Sequence, residues 1–353
     1  MRNSLFPKYY FDYKFPKPQY LGAKYLHRAW ISQYIPEEVN TVLDAFSGSQ
    51  SISYMMKQLG KETLTNDFMS FNSHIGKALI ENSRVKLNQY DIDVLFSDNC
   101  EPKEYNLMEL LFADLFFNRE EARFLDSFRS NVSRLECEMK QSLAFSIMCR
   151  AMTRKVTMGH FAHTKALNYA ADPARIKRNK SLIRPLKDLF LDLLPHYNAA
   201  IFDNKKHNRS FNENILDLLP KLKGVDLVYF DPPYCNSHAD YQSFYHLLET
   251  FVEYWKDKEF VNGVKRYEPK RYSGFDKNNE VIQNFKRMFD MSTEIPLWLI
   301  SYNDRSYPDI ITMTEMLESY RNVTIERKIY SVGRGGKGSV AGSSEILFVC
   351  KPK

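Results

Sequence analysis

Thr41-Val42-Leu43-Asp44-Ala45-Phe46 is a short apolar run that breaks at the small-residue turn Ser47-Gly48-Ser49. A stretch of helical pattern follows to Leu59, with Gly60 placed as its stop, and Glu62 to Asn66 suits a second strand. Phe71 to Asn88 then reads as a second helix. Strand, helix and strand within so few residues mark a βαβ unit of a parallel sheet, because parallel neighbours need a crossover. The fold class is therefore α/β. The rhythm stops near residue 90 and resumes near 198. There Ala199-Ala-Ile-Phe202, Asp226-Leu-Val-Tyr-Phe230 and Pro296-Leu-Trp-Leu-Ile-Ser301 each read as buried strands. Two β-rich runs, Val323 to Tyr330 and Glu345 to Cys350, close the chain across a Gly/Ser-rich loop and predict an antiparallel hairpin at one sheet edge.

The 353 residues carry 44% hydrophobic side chains, enough for a buried core rather than disorder. Five cysteines form no CxxC pair and no zinc spacing, which predicts reduced thiols and a cytoplasmic protein. No run of 18 apolar residues points to a membrane, and the N-terminal stretch lacks a signal-peptide core. The net charge of +6 is concentrated. Between Arg150 and Lys187 ten basic residues stand against one acid, Asp172, a surplus of nine. Such a run is either a solvated face or a surface for a polyanion.

Asp231-Pro232-Pro233-Tyr234 sits at the carboxyl end of the apolar run 226–230. Ligands of open α/β sheets bind just beyond strand carboxyl ends. The prolines stiffen the turn, and Pro232 keeps a carbonyl acceptor while offering no donor. A carboxylate, an aimed carbonyl and an aromatic face within four residues complement an exocyclic amine, with its two N–H donors and conjugated ring. Asp67 follows Asp44 by 23 residues, close to the spacing from a nucleotide-binding turn to a ribose-binding acid.

In content and order these motifs resemble the N6-adenine DNA methyltransferases of group α. Tyr20-Leu-Gly-Ala-Lys24 resembles the family's N-terminal motif, whose aromatic and lysine contact the methionine end of the cofactor. Asp44-Ala-Phe46-Ser-Gly48 resembles its glycine-containing cofactor loop, although Gln50 stands where the family shows a second glycine. Asn66-Asp67 resembles the strand end that holds the ribose hydroxyls. Asp217 resembles the acid that pairs with the cofactor's adenine amine, and Ser301-Tyr302-Asn303-Asp304 a later strand end. The resemblance implies a Rossmann-like sheet, mainly parallel with a terminal antiparallel hairpin, built from residues 1–90 and 196–353. It places a mostly helical target-recognition insertion at 91–195.

The resemblance further implies S-adenosyl-L-methionine as cofactor, double-stranded DNA as substrate and a cognate restriction endonuclease as the partner such an enzyme accompanies. Asp231 and the Pro232 carbonyl would accept the amine hydrogens, and Tyr234 would stack on a base drawn out of the duplex. Neither a metal nor a covalent intermediate is required. Arg154-Lys-Val-Thr-Met-Gly159-His-Phe161 resembles a family segment bearing Arg, Gly and Phe. Arg154, Lys155, Arg175, Lys177, Arg178 and Lys180 are the candidate DNA contacts.

His160 and His163 have HxxH spacing without a completing ligand, so packing is the default. His238 and His246 read as packing or DNA-facing residues. The Gly-rich stretch 333–338 lacks GxxxxGK[ST] and reads first as a hairpin tip, with Arg334 and Lys337 as a secondary phosphate clamp. Two other activities share the motifs: RNA adenine methylation, and cytosine-amine methylation, where Ser commonly replaces the Asp. A non-catalytic DNA-binding module on a decayed fold is the alternative of another class. The joint presence of Lys24, Asp67, Asp231 and Tyr234 argues against it.

Overall fold

The computed structural model describes residues 11–235, 240–329 and 344–353. Nine strands run in chain order among these residues: β1 Thr41–Asp44, β2 Glu62–Asn66, β3 Arg209–Phe211, β4 Leu227–Phe230, β5 Glu259–Val261, β6 Arg266–Glu268, β7 Leu297–Asn303, β8 Asn322–Ile329 and β9 Ser344–Lys351. β5 and β6 form a separate hairpin, and the other seven make one sheet in the order β3-β2-β1-β4-β7-β9-β8. β3, β2, β1, β4 and β7 run parallel, and β9 runs antiparallel to both β7 and β8.

The central strands β4 and β7 are apolar along most of their length because both faces are covered. Leu43, Val228, Phe230, Trp298 and Ile300 face the helices Ile215–Leu218, Asn278–Met291 and Ile310–Tyr320. Val42, Tyr229, Leu297 and Leu299 face Ile31, Ile52, Met55 and Met56 on the other side. A third cluster joins residues of the segment 91–195 to the rest. Leu125, Phe128, Phe145 and Phe190 share it with Phe71, Leu79, Tyr245 and Phe251. The helices Arg119–Val132, Glu138–Arg154 and Leu186–Ala199 are thus packed through apolar contact onto those that flank the sheet. Among the described residues no helix is long and apolar enough to cross a membrane.

Gly60, at φ +76°, stops the first helix as expected. Two expectations are corrected. The second helix does not reach Asn88: Ser70–Gly76 passes into a π-type turn, Lys77–Glu81, and ends. There the Asn82 side chain captures the backbone N–H groups of Arg84 and Val85, a local turn that competes with helix. Ala199–Phe202 is also not a strand. The helix Leu186–Ala199 runs into it, and Ile201 and Phe202 are buried without a ladder. The edge position belongs to β3, Arg209–Phe211, whose half-exposed residues carry no apolar run.

Candidate active site

The sheet order reverses between β1 and β4, since the chain first builds outward through β2 and β3 and then crosses back. The loops beyond such a switch point diverge and leave a crevice. A cleft enclosing about 970 Å³ and open to solvent lies there. Tyr20, Lys24, Asp44, Phe46, Gly48, Asp67, Asp231 and Pro233 all line it. These motifs, scattered over more than 200 residues, are therefore gathered at one site.

The loop after β1 is held from several directions. Gly48 has φ +46°, and a Cβ on it would come 3.1 Å from the Tyr20 ring, so the residue must be small twice over. Tyr20 stacks on Tyr245 at 4.7 Å and 9° and on Tyr241 at 5.6 Å and 12°. The Asp67 carboxylate accepts from Gly48 N at 2.7 Å, Met69 N at 2.8 Å and Asn72 Nδ2 at 3.1 Å. Burial raises the Asp67 pKa, and those three donors oppose the rise. Gln50, the departure from the family pattern, has left-handed backbone (φ 63°) and is fully buried. Its side chain compensates: Nε2 donates to Ser47 Oγ at 2.7 Å and Oε1 accepts from Thr65 Oγ1 at 2.6 Å.

Asp44 ends β1. Its Oδ2 accepts from Ser53 N at 3.1 Å and Ser53 Oγ at 2.6 Å, near the start of the helix Ser51–Gln58. Its Oδ1 is buried without a donor, and burial pushes the carboxyl up to about 7. At the other end of the cleft Phe46 and Phe275 meet edge-on at 5.2 Å beside Ile215.

Asp231 follows β4, which is clamped between β1 and β7. Its Oδ1 accepts from Lys24 Nζ at 2.9 Å and from the Tyr234 hydroxyl at 2.8 Å. Lys24 is buried and also lies 3.5 Å from Glu345 Oε1. Burial alone would lower its pKa, but the Asp231 and Glu345 carboxylates outweigh burial and hold it above its ordinary value. The half-buried Tyr234 ring packs edge-on against Tyr302 at 5.8 Å and 81°. Pro232 is buried.

A model of the D12 class N6 adenine-specific DNA methyltransferases matches residues 20–316, which include every one of these groups except Glu345. The chain belongs to that family. It is 30% identical over 347 residues to the Type II methyltransferase M2.HphI of Haemophilus parahaemolyticus, covering 95% of this chain and 98% of that one. The modification methylase StsI of Streptococcus sanguinis is 28% identical over 252 residues, 65% of this chain and 35% of its own length. For the Type II methyltransferase M.FokI of Planomicrobium okeanokoites the identity is 26% over 241 residues, 64% of this chain and 34% of that protein. In those two the match spans about a third of a longer protein. This methyltransferase acts on adenine in DNA.

Several expected site residues fall elsewhere. Asp217 is exposed on the helix Ile215–Leu218 and does not line the cleft, because its neighbours Ile215 and Leu216 turn that helix's apolar side inward; Glu213 and Asn214 line it instead. Lys155 is buried, with Nζ 2.9 Å from Glu121 Oε1 and 2.8 Å from the Arg184 carbonyl, so it ties the segment 91–195 together and is not free for phosphate. Arg175 pairs with Asp172 at 3.5 Å and covers the Tyr169 ring at 4.3 Å. Arg154 is half-buried, while Lys177, Arg178 and Lys180 are exposed. Arg334, Lys337 and His238 lie outside the described residues. His160 packs on Phe244 at 5.1 Å, and His246 is fully buried with Nε2 3.0 Å from the Phe161 carbonyl.

Two residues escaped the sequence reading. Glu249, fully buried, accepts from Ser70 N at 2.9 Å and Phe71 N at 3.2 Å and pairs with Arg271. It thereby fixes the helix that starts just after Asp67. Glu345 is the other. Its only sequence signal is an acid opening an otherwise apolar strand.

Proposed function

We propose that this methyltransferase uses S-adenosyl-L-methionine to methylate the N6 amine of adenine at a specific site in double-stranded DNA, within a restriction-modification pair whose endonuclease is a separate protein. The observation that carries the reading is the convergence of Lys24, Asp44, Asp67 and Asp231 on one cleft at the switch point. The residues suit the cofactor. Asp44 lines the cleft and its carboxylate suits a cationic group, and the Phe46, Ile215 and Phe275 wall suits an adenine ring. Asp67 supplies carboxylate for ribose hydroxyls. When bound, the cofactor supplies a methyl group already activated by its sulfonium, so the protein's task is positioning and electrostatics.

Asp231 and the Pro232 carbonyl accept the two amine hydrogens, which localises the nitrogen lone pair and aims it into the cleft. Lys24 and the Tyr234 hydroxyl fix the Asp231 carboxylate for that role. The Tyr234 ring stacks on the extruded base, since the amine is out of reach inside the duplex. Lys177, Arg178 and Lys180 supply phosphate contacts, and Arg154 reads a base edge. Residues 91–195 act as the target-recognition part, supported by the surplus of basic residues between Arg150 and Lys187. The strong type II likeness in name supports the restriction-modification setting. Single-molecule sequencing of DNA from cells expressing the chain tests this reading: N6-methyladenine in one sequence context supports it, and unmodified or randomly modified DNA overturns it.

A further inference from the structure

Glu345 opens β9, and because β9 runs antiparallel its first residues lie level with the carboxyl ends of the parallel strands, with Glu345 opposite Asn303. This brings an acid from β9 up to Lys24, which lines the cleft. Glu345 is 4% exposed, and its Oε1 accepts no hydrogen bond. Lys24 Nζ bridges the two carboxylates, 2.9 Å from Asp231 Oδ1 and 3.5 Å from Glu345 Oε1. A buried acid and a half-buried one thus share one ammonium.

We propose that Glu345 is the proton acceptor that clears Asp231 after each methyl transfer, with the Lys24 ammonium as the bridge. The proposal rests on the role given to Asp231 above. As the amine nitrogen gains its bond to the methyl carbon, that carbon's bond to sulfur breaks and the electron pair stays on sulfur. The nitrogen is left cationic, with one proton in excess. Asp231 takes that proton and becomes a neutral acid. Lys24 passes an N–H proton to Glu345 Oε1 and, as the transient amine with a free lone pair, takes the proton from Asp231, so Lys24 ends as an ammonium and Asp231 as a carboxylate again. Glu345 holds the proton until the product leaves and the cleft opens to water.

The surroundings of Glu345 suit that role. Burial pushes its carboxyl up to about 7, with Lys24 opposing the rise and Asp231 adding to it. Tyr229 and Tyr241 feel its charge from β4 and from the helix Tyr241–Glu253, and Tyr234 from the catalytic turn. Lys328 is its cross-strand partner on β8, and His27, beside Lys24 and Lys328, is held down at about 4 and is neutral at working pH. An ordinary glutamate would be fully ionised there and a poor store; one near 7 both accepts and releases.

The test uses the whole protein. In the free wild-type chain, carbon-13-labelled glutamate, with the Glu345 signal assigned by its loss in Glu345→Gln, should titrate near pH 7 and move to lower pH in Asp231→Asn, where Lys24 serves Glu345 alone. With S-adenosylmethionine and DNA, Glu345→Gln should lower single-turnover rate by 10-fold or more, keep both binding affinities within about 3-fold, and lose the rate's fall below pH 7. Glu345→Asp should keep that limb. The proposal is overturned if the Glu345 signal titrates in the ordinary carboxylate range or ignores Asp231→Asn, or if Glu345→Gln retains the wild-type rate or pH limb. Wild-type protein that transfers no methyl group would instead overturn the role of Asp231, leaving the titration as a separate result.

Discussion

The ammonium of Lys24 lies 2.9 Å from Asp231 Oδ1, joining two residues 207 positions apart in the chain. The contact links the N-terminal motif to the proposed catalytic turn, so the lysine serves the Asp231 carboxylate as much as the proposed cofactor site.

Lys24→Met should therefore do more than weaken cofactor binding. Removing one partner of a buried pair costs about 3–5 kcal/mol, here because Asp231 and Glu345 would be left facing each other without a cation. Denaturant unfolding should show a loss of that size. Glu345→Gln in the same background should recover part of it by removing one of the two charges.

Asp44 predicts a pH dependence of cofactor binding. Its folded carboxyl sits near 7, raised by burial, so the free protein holds a proton there that an unfolded chain would release. The sign follows: Asp44 costs stability as pH rises from the ordinary carboxylate range toward 7, and a cationic ligand prefers the ionised form. S-adenosylmethionine affinity should thus fall as pH drops below about 7. Calorimetry in buffers of different ionisation enthalpy should detect proton release on binding near neutrality. Asp44→Asn should abolish that release.

Gln50→Gly would restore the family's residue at a left-handed position. Backbone strain of about 1–2 kcal/mol would be relieved. The substitution would also remove the Gln50 hydrogen bonds to Ser47 Oγ, Thr65 Oγ1 and the Asn72 carbonyl, at about 0.5–1.5 kcal/mol each. The net change should be destabilising, measured as a lower unfolding midpoint. A more stable Gly variant would show that the glutamine network contributes little.

Much of this was legible in sequence. β4 and β7 announce themselves because strands buried on both faces are largely apolar, β1 and β2 through the turn and helix between them, and Asp231-Pro-Pro-Tyr234 marks a strand end. β3 was not legible, since a three-residue edge strand needs no apolar run and the buried Ile201 and Phe202 imitate one. Lys155 and Lys177 read alike in a basic run, yet only the fold decides that one is buried against Glu121. Asp217 satisfied the expected order but not the direction, which depends on helix phase. Glu345 could be found only through the antiparallel return of β9.

The basic surface gives a paired test. Neutralising Lys177, Arg178 and Lys180 together should weaken DNA binding on every sequence and flatten the salt slope by up to about three phosphate contacts. Lys155→Ala should act differently, lowering stability by unpairing the half-buried Glu121 while leaving the salt slope unchanged. Arg154→Ala should relax sequence preference at one position by about 1–3 kcal/mol. Unchanged affinity and slope in the triple variant would mean that the basic run is a solvated face.

The most direct measurement is methyl transfer to duplex DNA by wild type and Asp231→Ala, with the modified base identified by mass spectrometry and S-adenosylmethionine binding measured alongside. The wild type should yield N6-methyladenine. Asp231→Ala should lose on the order of 100-fold or more in rate, because a preorganised acceptor at the reacting nitrogen is gone, while cofactor binding largely survives. Turnover within a few-fold of wild type, or a methyl group found on cytosine instead of adenine, would contradict the account.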